Sequence, residues 1–363
     1  MLPAEALDRL RLSRTDGVGP VTYRRLLRRC ATAAEAIAAL PELARAGGKS
    51  DAPAVPTAAV ARREVEKLAK LGGRILVLDG PGYPAALAAF DTAPPILSVL
   101  GNAGLLQQRA VALVGARNAS INGQRMAELL AADLAMAGLV VVSGMARGID
   151  AAAHEGALRS GRTIAAVAGG VDVAYPPENV DLQRRVAEGG AVVGEAPLGT
   201  APQARHFPRR NRVIAGLSLG VVVIEAAPKS GSLITAQIAL DEGRAVFAVP
   251  GSPLDPRCRG SNNLIREGAV LTESAADVTG NLPQQAGPAP DGFAEEPPGY
   301  DPPLDIKAAV ARVAPLLSPT PTPVDDLVRR CQLSVHAVQG ALMALELNHR
   351  VQMLPGNQVA LIA

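Results

Sequence analysis

Four arginines and a histidine surround a phenylalanine in the segment Arg205-His-Phe-Pro-Arg-Arg-Asn-Arg212. Guanidinium forks pair with phosphate oxygens, and an exposed ring stacks on a nucleobase. A helix starting near Arg209 would bring its N-terminal amides to the same anion. The other reading is a solvated basic loop anchored by a buried Phe207. A second constellation invites different chemistry: Asp150 and His154 share one helix face at i and i+4, with Ser143 upstream. A Ser–His–Asp relay uses these residue types, but an Asp–His pair at that spacing more often stabilises a helix start, and that reading is preferred. The four histidines are scattered without an HExxH pattern, and Cys30, Cys258 and Cys331 are far apart without a CxxC pair. Neither a metal site nor a disulfide framework is expected.

Around these groups lie loops rich in Gly, Ser and Arg: Gly115-Ala-Arg-Asn-Ala-Ser120, Ser143-Gly-Met-Ala-Arg-Gly-Ile-Asp150, Gly169-Gly170 and Lys229-Ser-Gly-Ser-Leu-Ile-Thr235. Glycine lets backbone approach an anion closely, and helix N-termini supply donors. Tight turns alone would explain one or two such loops; four on one edge, two of them bearing arginines, point to a phosphate-bearing ligand. The first loop has a single glycine, so the GxGxxG dinucleotide fingerprint fails, and no GxxxxGK[ST] occurs. No cofactor is expected.

The elements that position these loops follow from apolar patterning. Short apolar runs at 111–115, 139–143, 163–168, 191–194, 220–225 and 245–249 alternate with helical segments at 123–137, 149–159, 180–188, 211–217 and 232–242. This alternation predicts an α/β fold: an extended Rossmann-like, doubly wound parallel sheet whose strands are buried on both faces. Ligands in such sheets gather beyond the carboxyl ends of the strands, where the four loops fall. Upstream, residues 6–12 and 21–29 read as helices around Asp16-Gly-Val-Gly-Pro20, either a helix-hairpin-helix (SAM-like) module whose turn meets a phosphate or a plain helical hairpin. A loop at 47–56 and a helix at 57–71 follow. Residues 281–303 are proline-rich and read as a linker. Beyond them, helices at 304–317, 323–331 and 334–347 and a hairpin around Pro355-Gly-Asn357 resemble a winged helix. The expected division is 1–72, 73–280, 281–303 and 304–363.

Composition narrows the function. The chain has 363 residues, a net charge of +2, and only four Phe, four Tyr and no Trp. That is too few aromatics for a stacking sheet of the OB or RRM kind. The N-terminus alternates apolar with charged residues, unlike a signal peptide, and no apolar run approaches membrane-spanning length, so a cytoplasmic protein that does not enter membranes is expected. From Asp301 onward basic and acidic residues balance, which makes the winged helix a poor duplex binder by charge and favours an accessory or protein-contact role.

Several long motifs, in order, resemble the DNA-processing protein A (DprA/Smf) family. They are Val114-Gly-Ala-Arg-Asn, Ser143-Gly-Met-Ala-Arg-Gly-Ile-Asp-Ala-Ala-Ala-His-Glu-Gly-Ala-Leu158, Phe207-Pro-Arg-Arg-Asn-Arg-Val-Ile-Ala-Gly-Leu-Ser218, Ser230-Gly-Ser-Leu-Ile-Thr-Ala236, Ala248-Val-Pro-Gly-Ser252 and Gly260-Ser-Asn-Asn-Leu-Ile265. The resemblance implies a SAM-like N-terminal module, a Rossmann core that binds single-stranded DNA and a C-terminal winged helix. It also implies a homodimer that protects incoming DNA during natural transformation and loads RecA, without catalysis. Carried over by position, the DNA site comprises Arg117, Ser143, Gly144, Gly169, Phe207, Arg210, Asn211, Ser230 and Gly231. Where some members have a lysine before the Phe-Pro, this chain has Ala204, Arg205 and His206. The competing classes are a nucleotide-cleaving hydrolase, against which Glu195 and Glu225 lack the phosphoribohydrolase-type pattern, and a nucleotide-sensing regulator with winged-helix output.

Overall fold

The computed structural model describes residues 2–46, 53–283, 306–354 and 357–362, which form two compact units. One holds residues 64–285 and the other residues 1–63 with 286–363, the boundary falling inside a helix.

The core unit is a nine-stranded sheet. Its strands are β1 (Arg74–Val77), β2 (Ile96–Gly101), β3 (Ala110–Gly115), β4 (Val140–Ser143), β5 (Thr163–Val167), β6 (Ala191–Gly194), β7 (Gly220–Ile224), β8 (Ala245–Ala248) and β9 (Val270–Leu271), ordered β1-β2-β6-β5-β4-β3-β7-β8-β9. From β6 to β9 every pair is parallel; β1–β2 and β2–β6 are antiparallel. The six expected strands are β3 to β8, and the antiparallel pair at the edge makes the sheet mixed rather than wholly parallel. Strands β3, β4 and β5 are apolar and buried almost throughout because helices cover both faces.

Those helices are α5 (Ala85–Ala88), α6 (Ile121–Met136), α7 (Ile149–Leu158), α8 (Val180–Gly189), α9 (His206–Gly216), α10 (Gly231–Asp241), α11 (Arg259–Arg266) and α12 (Ala275–Asn281), following α1 to α4 of the chain's first 70 residues (Ala4–Ser13, Pro20–Arg29, Ala33–Ala46, Ala58–Lys70). Helix α7 packs between α6 and α8, with α12 beside α6; α9 packs on α10 and α5. Val111, Leu113, Val141, Val222, Ile224 and Phe247 of the sheet join Leu130, Leu134, Ile149 and Ala153 of α6 and α7 in one buried cluster. Burial of each Val, Leu, Ile or Phe among them contributes about 1.5–3 kcal/mol. The cluster clamps the strand ends and so holds their loops in place.

In the terminal unit, helices α13 (Ile306–Val313), α14 (Val324–Cys331) and α15 (Val335–Leu347) and strands β10 (Thr322–Pro323), β11 (Val351–Leu354) and β12 (Gln358–Leu361) make the winged helix. Ser334 caps α15, its oxygen accepting from the Ala337 amide, as the sequence pattern predicts. Helix α15 is buried nearly all round, because α13 packs on it from one side and α2 and α3 from another. The proline-rich segment from 284 and the turn at Pro355-Gly356 lie outside the described residues. Cys30, Cys258 and Cys331 are free thiols.

Candidate nucleic-acid interface

The chain order reverses where β3 lies beside β7: β4, β5 and β6 continue to one side, β8 and β9 to the other. Such a switch point is where an open α/β sheet forms its ligand crevice. Here the protein fills it. Glu225, at the end of β7 with φ 49°, accepts the Ser120 backbone N–H at 2.8 Å and the Ser120 hydroxyl. Ser120 caps α6, and a Cβ on Gly123 would lie 2.5 Å from the Glu225 carboxyl carbon. A carboxylate therefore stands at the N-terminus of α6, where the helix amides and dipole would otherwise favour a phosphate.

The next loops along the sheet border an open cleft. It encloses about 470 Å³, solvent at its mouth included, between Arg117, Gly144, Ala146, Arg147, Gly169, Val173, Tyr175, Pro176, Pro202 and Phe207. Two glycines set its floor. A Cβ on Gly144 would collide with the Arg210 guanidinium, and one on Gly169 would lie 2.5 Å from the Thr200 carbonyl oxygen. Half-buried Phe207 stands in the first turn of α9, which starts at His206 rather than near Arg209. The Tyr175 ring lies 6.0 Å away, tilted by 58°. Arg117 Cζ is 5.0 Å and Arg210 Cζ 5.9 Å from the Phe207 ring centre, within cation–π range. Arg147 is exposed and reaches Glu178 at 3.5 Å, a surface pair of little energetic weight.

Of the residues expected at the site, Arg117, Gly144, Gly169 and Phe207 meet on the cleft wall. Arg210 instead lies beneath it, 7% exposed, donating through Nη1 to the Ala166 carbonyl at 3.3 Å with Asp150 Oδ2 at 3.9 Å. Burial pulls Arg210 below the usual arginine range and pushes Asp150 above the carboxylate range, each opposed by the other's charge. Ser143 is wholly buried, and its hydroxyl donates to the Leu113 carbonyl at 2.7 Å. Asn211 Nδ2 donates to the Gly231 carbonyl at 3.3 Å and ties α9 to α10, at whose start Ser230 and Gly231 stand. These three are not among the cleft-lining residues. Sequence reasoning missed Arg147 and Tyr175. Their signals were an arginine in the glycine-rich loop after β4 and one of only four tyrosines in an aromatic-poor chain.

The Ser–His–Asp constellation does not assemble as a relay. His154 is fully buried with Nδ1 2.7 Å from Thr163 Oγ1, and its Nε2 has no hydrogen-bond partner. Burial, with Arg210's charge second, lowers its pKa to about 3, so the ring is a neutral packing group. Glu225, Asp255 and Cys258 place potential metal donors within 4.8 Å of one another, but Ser120 engages the first carboxylate and Arg257 the second.

A doubly wound sheet with glycine-floored, arginine-bearing loops at its strand ends defines a Rossmann-like protein suited to a phosphate-bearing ligand. Residues 74–283 match the family described as DNA recombination-mediator protein A; residues 3–66 match a DprA-like N-terminal HHH domain and 295–357 a DprA winged helix domain. The chain belongs to the DNA-processing protein A (DprA/Smf) family. It is 38% identical to Protein Smf of Escherichia coli over 79% of this chain and 77% of that protein. The solved structure of DNA processing protein A from Streptococcus pneumoniae is similar at TM-score 0.65 and 35% identity, covering 78% of this chain and 99% of that one. A second, from Helicobacter pylori and described for its unique single-stranded DNA binding mode, is similar at TM-score 0.52 and 29% identity, over 57% of this chain and 95% of that one. Among the described residues no helix is long and apolar enough to cross a membrane.

Proposed function

We propose that the chain binds single-stranded DNA in the cleft after β4 and β5, without chemical turnover, as a mediator that protects incoming strands and loads RecA in the cytoplasm during natural transformation. The observation that carries this reading is the open cleft itself: Phe207 and Tyr175 offer ring surface beside Arg117 and Arg147, over two glycines that let backbone come close. Stacking accepts any base and requires it to be unpaired, whereas the arginines take the backbone. The Helicobacter pylori relative's described single-stranded DNA binding supports the same reading. Its site residues are Arg117, Gly144, Gly169 and Phe207 on the wall, Arg210 and Ser143 below them, and Asn211, Ser230 and Gly231 at the neighbouring α9–α10 junction. A homodimer belongs to the proposal, as does the division at 1–72, 73–280, 281–303 and 304–363. A gel shift comparing oligo-dT with duplex of equal length tests it: the single strand is retarded at lower protein concentration, and equal or stronger duplex binding contradicts it.

A further inference from the structure

In the terminal unit, too, a carboxylate stands near the start of a helix, held here by a side-chain hydroxyl rather than a backbone amide of that helix. The turn Asp16-Gly-Val-Gly-Pro20 leads into α2, whose first turn is the place a phosphate would take in a helix-hairpin-helix. The end of α15 covers that place. Glu346 accepts a hydrogen bond from the hydroxyl of Thr22, which is fully buried. Its other carboxylate oxygen lies 4.0 Å from where a Cβ on Gly19 would be, and a Cβ on Gly17 would lie 2.9 Å from the Leu347 carbonyl oxygen. Asn348 Nδ2 donates to the Ala44 carbonyl at 3.3 Å, and His349 Nε2 lies 3.3 Å from Asp16 Oδ2. Burial pushes the Glu346 carboxyl above the usual range, with the Thr22 hydroxyl and Arg25's charge pulling it back.

We infer that the winged helix is an internal cover of the N-terminal hairpin: Glu346 occupies the position of a DNA backbone phosphate at the start of α2, and release of α15 opens that site. The same contact holds the C-terminal end of α15, the third helix of the winged helix, against the hairpin, while its first turn stays exposed at Val335 and His336. The opened turn has one polar side chain, Asp16, and otherwise offers backbone, so its ligand is the phosphodiester backbone. Exposed Arg28 and Arg29 farther along α2 add positive charge on the same element.

The full chain carrying Glu346→Ala tests this with a short duplex, which the core cleft does not favour. The expected result is faster amide exchange at residues 16–23 and 345–349, with duplex affinity raised by roughly tenfold at low salt and a steeper salt dependence. Glu42→Ala, an equal change of charge on an exposed residue of α3, gives no gain. Faster exchange without tighter binding, unchanged exchange, or the same gain from Glu42→Ala each overturns the proposal. Should Glu346→Ala unfold the terminal unit, the isosteric Glu346→Gln decides by the same two readouts. Weak oligo-dT binding by the unaltered chain would bear on the core cleft and leave this result standing.

Discussion

The crevice between β3 and β7 and the cleft beyond β4 and β5 lie on one sheet, and both have glycine-rich loops leading into helices. They differ in what stands over the helix start. At the first, Glu225 is already held by Ser120 against the N-terminus of α6. At the second, two aromatic rings and two arginines border open space. A glycine-rich loop at a strand end therefore identifies a place for an anion but not whether the protein supplies that anion itself. The difference teaches that the fold's usual nucleotide position is closed here by a carboxylate, and that the open cleft lies farther along the sheet edge.

Removal of Arg210 is the largest expected perturbation. Arg210→Ala leaves Asp150 buried without its cationic neighbour, a change that costs about 3 kcal/mol or more, and thermal melts should fall accordingly. An unchanged melting temperature would return Arg210 to the rim as a simple phosphate contact. Acid probes the same interior through His154. Its pKa is 6.5 unfolded and about 3 folded. Below pH 6.5 the unfolded chain takes up a proton that the folded chain refuses. The stability present above pH 6.5 is therefore lost as pH falls towards 3, at up to about 1.4 kcal/mol per pH unit. Denaturant midpoints across that window check the slope, and His154→Gln should flatten it.

The six central strands were legible because burial on both faces makes them continuous apolar runs, as in Val140-Val-Val-Ser143. Strand β1 is only Arg74-Ile-Leu-Val77, and with β2 it runs antiparallel, outside the alternation that marked the rest. The alanine-rich α3, with Pro41 inside it, also gave a weak pattern. Phe207, Arg117 and the two floor glycines could be picked by residue type and motif. That Arg210 turns inward while Arg117 stays outside depends on how α9 lies against β5, which no local pattern encodes. The pairing of Glu225 with Ser120 and of Glu346 with Thr22 joins residues 105 and 324 positions apart. Strand order and the packing of α15 create these contacts, so spacing along the chain does not reveal them.

Two smaller effects sharpen the contrast between the crevice and the cleft. Glu225→Ala should expose the first amides of α6, so that inorganic phosphate raises the melting temperature of the variant and not that of the unaltered chain; equal responses would mean the crevice was never an anion site. Within the cleft, Phe207→Ala should weaken oligo-dT binding by about 1–3 kcal/mol with little change in salt slope. Arg117→Ala should lower that slope by about one unit. Matching slope changes in the two variants would mean that ring and guanidinium do not divide their work in this way.

The most direct measurement is photocrosslinking of oligo-dT carrying 5-iododeoxyuridine, with the adducts mapped by mass spectrometry. Adducts on Phe207 or Tyr175 are the predicted result, because those rings border the open cleft. Adducts confined to residues 118–123 and 225–228 would contradict the account, since they would put DNA in the crevice that Glu225 fills.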